Sequence, residues 1–324
     1  VSTATVQFHN QLPEDHAPTM AQEVLSGLTF QPKYCSPKFL YDHKGSELFE
    51  KICELPEYYP TRTEEAILAR VVPEIANLAG PGATLVEFGS GASRKVRLLL
   101  ECLSVDRYLG IDISRDFLIN STRRLAADYP WLEVHAACAD FTQPVDLPES
   151  IEPSRLVGFF PGSSIGNFTP QEAERFLRGL HRLLPPGSGL LIGVDLVKDQ
   201  TILEAAYNDR AGVTAEFNLN LLDRLRRELG LEIDRKRFRH HAFFDPRQSR
   251  IEMHLVSRVA QVLKFNHETI RFREGESIHT ENSYKYSVPG FQQLAARAGY
   301  TGRRVWVDDK GLFSVHYLVA APAS

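Results

Sequence analysis

The 324 residues include only four cysteines, Cys35, Cys53, Cys102 and Cys138, with no C-x-x-C pair and no histidine at ligand spacing. A disulfide framework and a zinc ribbon are therefore excluded, and reduced, packed thiols are expected. No apolar run reaches the length of a membrane-spanning helix; the longest, such as 189–197, are strand-length. Val1, Ser2, Thr3 and Ala4 do not open a basic segment leading into an apolar core, so no signal peptide is read and a cytoplasmic soluble protein is expected. A basic excess is also missing. Lys+Arg is 37 against Asp+Glu 41, a net charge of −4, which argues against a nucleic-acid binder. There is no internal repeat, no flexible linker, no Walker sequence and no G-x-S-x-G elbow. What is present is ordinary globular composition, 43% hydrophobic and 24% charged, enough to bury a real core in one large or two modest domains.

The first eighty residues read as helices broken by prolines. A helix fits 13–26, Pro32 and Pro37 interrupt, and a short helix fits 46–55. A longer one is expected over 63–79, N-capped by Thr63, with Glu64 and Glu65 in its first turn and Gly80-Pro81-Gly82 ending it. The pattern then becomes strand, turn, helix, repeated. Strands are expected at 83–88, 107–111, 132–137, 155–160 and 189–196, with helices at 95–103, 116–129 and 170–184 between them. Near-continuous apolar strands alternating with helices imply a doubly wound parallel sheet covered on both faces. After Lys198 the alternation stops. Helices at 201–207 and 214–229 and strands at 241–244, 251–256 and 268–273 precede a return to the α/β pattern, with a helix at 290–298 and a closing hairpin of 303–307 and 312–318. We therefore expect an α/β Rossmann-like domain, 63–197 with 286–324, and a second, mixed α+β domain built from 1–62 and the insertion 198–285.

The first strand-to-helix turn carries Glu87-Phe88-Gly89-Ser90-Gly91. Glycines here let the backbone approach a ligand closely. A dinucleotide cradle needs a third glycine where Arg94 stands, so a pyrophosphate site is incomplete. S-adenosylmethionine (SAM) has no phosphate and offers an ammonium group, which a carboxylate such as Glu87 attracts directly or through water. Asp112 ends the second strand, where a carboxylate accepts ribose hydroxyls. Asp140 and Phe141 follow the third, suited to an adenine amino group and ring, and Lys95 suits the methionine carboxylate. Each acidic residue alone is equally well a cap or a solvated loop residue; three at successive strand ends favour SAM. No metal is expected, because His254 and His279 have no ligand-spaced partner in the chain and His240-His241 sits in a mixed-charge stretch.

Several strings are distinctive. They are Leu55-Pro56-Glu57-Tyr58-Tyr59-Pro60-Thr61-Arg62-Thr63-Glu64, Gly162-Ser163-Ser164-Ile165-Gly166-Asn167, Asp195-Leu196-Val197-Lys198-Asp199, Arg250-Ile251-Glu252-Met253 and Glu281-Asn282-Ser283-Tyr284-Lys285. From about residue 38 onward the chain resembles the SAM-dependent histidine N,α-methyltransferases of ergothioneine biosynthesis. The resemblance implies three methyl transfers to the α-amine of L-histidine, giving hercynine and S-adenosylhomocysteine, with substrate between the two domains. It further implies that Asn167 and Tyr207 hold the substrate carboxylate, that Tyr41 lies near the amine, and that Tyr58, Glu281 and Ser283 contact the imidazole with Met253 packed near the ring. The residue types suit that role: a carboxylate accepts from an imidazole N–H, and a hydroxyl two residues on shares its strand face. Read without the resemblance, Tyr58 and Met253 are packing residues and Asn167 a turn residue. The alternatives are a related N-methyltransferase acting on another amino acid or an indole derivative, and a NAD-binding or non-catalytic relative. A monomer without a coiled coil is expected.

Overall fold

The computed structural model describes residues 6–12, 19–91, 94–151, 155–265 and 267–322. Along the chain these form β1 (Gln7–Asn10), α1 (Met20–Thr29), α2 (His43–Cys53), α3 (Tyr59–Ala79), β2 (Ala83–Phe88), α4 (Arg94–Leu100), β3 (Val105–Asp112), α5 (Arg115–Asp128) and β4 (Glu133–Cys138). There follow β5 (Leu156–Phe160), α6 (Pro170–Leu183), β6 (Gly189–Asp195), α7 (Gln200–Tyr207), α8 (Val213–Leu229), β7 (Phe238–Asp245) and β8 (Arg250–Ser257). The chain closes with β9 (Gln261–Phe265), β10 (Glu268–Phe272), β11 (Ser277–Tyr284), α9 (Val288–Arg297), β12 (Tyr300–Val307) and β13 (Phe313–Ala320). No helix among the described residues is long and apolar enough to cross a membrane.

Two compact units emerge. The first comprises Val1–Leu12, Pro60–Val197 and Tyr284–Ser324; the second comprises Pro13–Tyr59 and Lys198–Ser283. In the first, eight strands run in the order β1-β4-β3-β2-β5-β6-β13-β12. The six strands from β1 to β6 pair in parallel, and β13 joins β6 antiparallel, followed by its hairpin partner β12. This is the expected α/β Rossmann-like arrangement, with a mixed main sheet. Both faces are packed, and side chains alternate between them with the two-residue period of a strand. Leu85, Phe159, Leu191 and Val315 point into one core with Ile67, Leu68 and Leu99. Val86, Phe160, Ile192 and Leu318 point into the other with Phe176, Leu177 and Phe291.

Two points depart from the sequence reading. Segment 1–62 was expected wholly in the second domain, yet β1 pairs with β4 at the edge of the main sheet, with Gln7 opposite His135. A four-residue strand with alternation this short leaves no sequence signal. Second, α3 begins at Tyr59, so Thr63 lies inside the helix instead of capping it. Pro60 sits in the first turn, where its missing N–H costs no helical bond. The expected closing hairpin is present as β12 and β13, which run antiparallel and make the sheet mixed. Part of the helix expected over 13–26 lies outside the described residues, and α1 is seen from Met20, with a Thr19–Gln22 capping box.

In the second unit, a three-stranded sheet β11-β8-β7 and a β9–β10 hairpin lie with α2, α7 and α8. A short bridge at Tyr34 extends the sheet beyond β11, with Cys35 N–H donating to the His279 carbonyl. Strands β9 and β11 were not anticipated; β11 (SIHTENSY) is polar at most positions and lacks the apolar alternation that marks a strand.

Candidate active site

At the carboxyl ends of the parallel strands, Gly89 and Gly91 adopt φ values of +70° and +48°. A Cβ on Gly89 would stand 3.6 Å from the Phe141 ring, so the glycine and the aromatic are matched in position. Gly91 N–H donates to Asp112 Oδ2 at 3.1 Å and Ser114 N–H to Oδ1 at 2.8 Å. Burial lifts the Asp112 carboxyl above its ordinary value, and the backbone donors oppose this. Asp140 Oδ1 accepts from the Thr142 N–H at 3.0 Å and hydroxyl at 2.6 Å. Phe141 meets Phe160 edge-on at 5.7 Å. The residues named for a nucleoside thus gather at one end of one sheet.

Glu87 and Lys95 behave differently from the simplest expectation. Glu87 is buried within β2 and accepts from the Tyr108 hydroxyl at 2.6 Å. Burial pushes its carboxyl from 4.5 up to about 8, against the Tyr108 hydrogen bond and the Lys95 charge. At neutral pH it is largely protonated, a hydrogen-bonding group and not a standing anion. The folded chain therefore holds a proton that the unfolded chain releases near 4.5, and this contribution to stability is full below 4.5 and is lost as pH rises through about 8. We expect Glu87→Gln to flatten that decline in urea-denaturation profiles taken across this range; a profile as steep as wild type would place the titration elsewhere.

Lys95 Nζ lies 2.6 Å from Glu64 Oε2, and the same oxygen accepts the Gly162 N–H at 2.8 Å. Glu64 is fully buried, and its Oε1 has no hydrogen-bond partner among the described residues. A Cβ on Gly193 would stand 2.0 Å from that oxygen, so the glycine in β6 leaves room for the carboxylate. Sequence reasoning missed Glu64 as a site residue, taking it as a first-turn acid that complements the helix dipole. Its place in the long LPEYYPTRTE string was the available signal. Other strings prove to be structural partners. Ser163 Oγ accepts the Asp195 N–H at 2.8 Å, and Lys285 Nζ pairs with Asp195 Oδ2 at 2.7 Å in full burial. A Cβ on Gly166 would collide with the Tyr284 carbonyl at 2.8 Å. Asn167 ends the one-turn helix at Ser164–Asn167 in this unit.

The second unit brings together six of the seven residues named for substrate. Tyr41 meets Phe49 and Phe217 edge-on at 5.5 and 5.4 Å, Phe49 meets Tyr58 at 6.3 Å, and Tyr58 meets Tyr207 at 6.1 Å. Tyr207 Oη donates to Ser283 Oγ at 2.8 Å. Burial drives the Tyr58 hydroxyl well above its ordinary value, reinforced by Tyr207, Cys53, Tyr41 and Glu281 around it. Buried positions in β11 alternate through Ile278 and Thr280 and then reset at Glu281 and Ser283. Asn218, buried in α8, ties this frame together. It donates to the His254 carbonyl at 3.1 Å and to His240 Nδ1 at 3.0 Å, and its Oδ1 accepts the Thr280 hydroxyl at 2.7 Å. His240 Nε2–H donates to the Tyr207 carbonyl at 2.9 Å, which sets the tautomer. Met253 is buried on β8, and its carbonyl also accepts from Thr280 at 3.1 Å. Asn218 and His240 were not singled out as site supports; only the fold shows that both reach the strands.

Comparison with known proteins places the chain in a family. Residues 20–320 match the family described as histidine-specific methyltransferase, SAM-dependent. A histidine N-alpha-methyltransferase of Mycolicibacterium smegmatis is 39% identical over 322 residues, covering 97% of this chain and 99% of that protein. One from Mycobacterium tuberculosis is 39% identical over 317 residues, covering 96% and 98%. Ergothioneine biosynthesis protein 1 of Neurospora crassa is 31% identical over 297 residues, 85% of this chain and 32% of that longer protein. The chain belongs to the SAM-dependent histidine-specific methyltransferase family.

Proposed function

We propose that this protein methylates the α-amino group of L-histidine three times, giving hercynine, the first step of ergothioneine biosynthesis. Family membership and near full-length identity to two histidine N-alpha-methyltransferases support the reaction. Within the chain, the observation that carries the substrate reading is the buried polar set Tyr58, Tyr207, Glu281 and Ser283 inside an aromatic wall.

SAM, when bound, supplies an electrophilic methyl group on a sulfonium. Asp112 would hold the ribose hydroxyls, Asp140 and Phe141 the adenine, and Lys95 the methionine carboxylate, with Glu64 steadying Lys95. The buried Glu64 Oε1, which has no hydrogen-bond partner among the described residues, fits a cationic group beside it. Methyl transfer is an in-line displacement, so positioning supplies most of the rate. Glu281 would accept an imidazole N–H and Ser283 would donate or accept on the same ring, which excludes side chains lacking these groups because buried polar atoms would go unpaired. Asn167 and Tyr207 would hold the carboxylate. Tyr41 would align the amine, which must be neutral to attack, and an apolar surround of Phe49 and Phe217 disfavours the ammonium form.

Mass spectrometry of a reaction with SAM and a panel of free amino acids tests this directly. Trimethylated histidine is the expected product, with mono- and dimethylated forms as precursors. Preferential methylation of tryptophan or another amino acid would overturn the roles given to Tyr58, Glu281 and Ser283.

A further inference from the structure

The β7–β8–β11 sheet carries a second constellation that methyl transfer does not use. Glu252 and His254 are two residues apart on β8 and so share a face, opposite to that of Met253 between them. His279 comes from the neighbouring β11, and its ring stacks on that of His254 at 4.6 Å and 12°. Phe243 stacks on His254 in turn at 5.6 Å. The chain spacing gave no hint of this: twenty-four residues separate two imidazoles that strand pairing sets side by side.

The donor atoms converge. Glu252 Oε2 is 2.7 Å from His254 Nε2 and 4.0 Å from His279 Nε2, and one ligand atom from each residue lies within 4.8 Å of the others. The surroundings orient these atoms as outer-shell groups orient metal ligands. Arg250 Nε holds the other Glu252 oxygen, Oε1, at 2.9 Å, which leaves Oε2 turned to the imidazoles. Without a metal, His254 Nε2–H donates to Glu252 Oε2 at 2.7 Å and Nδ1 accepts the Ser277 hydroxyl at 3.0 Å; on metal binding the ring takes the other tautomer, and the same Ser277 oxygen accepts the Nδ1–H while Nε2 turns its lone pair to the ion.

We infer that Glu252 Oε2, His254 Nε2 and His279 Nε2 form a binding site for a first-row divalent transition metal. Two imidazoles and one carboxylate suit Zn²⁺, Co²⁺ or Ni²⁺ better than Mg²⁺ or Ca²⁺, which take all-oxygen shells. Metal bonds of about 2.1 Å require donor separations of roughly 3.4 Å, so the 2.7 Å pair opens and the 4.0 Å pair closes, a small swing of mostly buried rings. His279 gives up its Nε2–H bond to the Glu281 carbonyl, 3.1 Å away, and takes the other tautomer. The ion clamps β8 to β11, the strands that carry Met253, Glu281 and Ser283. The site stands whatever the substrate proves to be.

The test is titration of chelator-treated, full-length protein with Co²⁺, read by visible ligand-field absorption, and with Zn²⁺, read by calorimetry and thermal unfolding. One equivalent is expected to bind, with Zn²⁺ displacing Co²⁺ and raising Tm by several degrees. His254→Ala and His279→Ala should each weaken binding by on the order of 100-fold and Ser277→Ala by about 10-fold, with His241→Ala as a control that keeps the site. Circular dichroism of the metal-free variants checks that they fold. Absence of saturable binding by folded wild type, or equal binding by the His254→Ala/His279→Ala double variant, would overturn the site.

Discussion

Replacing Glu64 by alanine is expected to raise the dissociation constant for SAM by roughly 30- to 150-fold, about 2–3 kcal/mol. Lys95 loses the buried carboxylate 2.6 Å from its Nζ, and the Gly162 N–H loses its acceptor at 2.8 Å. Both are charge-assisted bonds in a dry setting, where each is worth more than a neutral one. Glu64→Gln retains an acceptor but not the charge and should fall between. Gly193→Ala offers an independent route to the same effect, because its Cβ would stand 2.0 Å from Glu64 Oε1 and force the carboxylate aside. Calorimetric SAM titration on folded protein is the measurement. A role confined to packing would lower Tm and leave the affinity of the folded fraction unchanged, and that result would remove Glu64 from the cofactor site.

Glu281→Ala carries the second large effect. Histidine affinity should fall by roughly 30- to 150-fold, since a charge-assisted bond to an imidazole N–H is lost in a buried place. SAM affinity should stay at the wild-type value, because the residues assigned to SAM belong to the other unit. Ser283→Ala should cost less, about 10-fold, as a neutral bond, and it also removes the 2.8 Å acceptor of the Tyr207 hydroxyl. The telling comparison is KM for histidine against KM for SAM in steady-state assays of all three forms. A Glu281→Ala enzyme with wild-type histidine KM would end the specificity argument.

The legibility of these features in the chain follows from how local their causes are. Apolar strands alternating with amphipathic helices mark the sheet, because each strand is covered on both faces by helices adjacent in sequence. The turn at Gly89-Ser90-Gly91 and the strand-end acids Asp112 and Asp140 are legible for the same reason: strand ends and turn glycines are set by neighbouring residues. The strings around Tyr58 and Glu281 are legible only through resemblance, since isolated tyrosines and a lone glutamate carry no periodic signal. The chain by itself therefore determined the fold class, the family and the end of the sheet where the candidate cofactor residues gather.

Tertiary structure decided the rest. It alone showed that Glu64, twenty-three residues before Glu87, is the acid that holds Lys95, while burial protonates Glu87. It alone showed β1 on the main sheet, a pairing fixed by register with β4 across more than a hundred residues. Asn218, His240 and Thr280 were joined in the same way, and Glu252, His254 and His279 were brought to one face of a sheet. The physical reason is common to all of these. Hydrogen bonds and ion pairs between distant strands depend on pairing and burial, and neither is encoded in the spacing of residues along the chain.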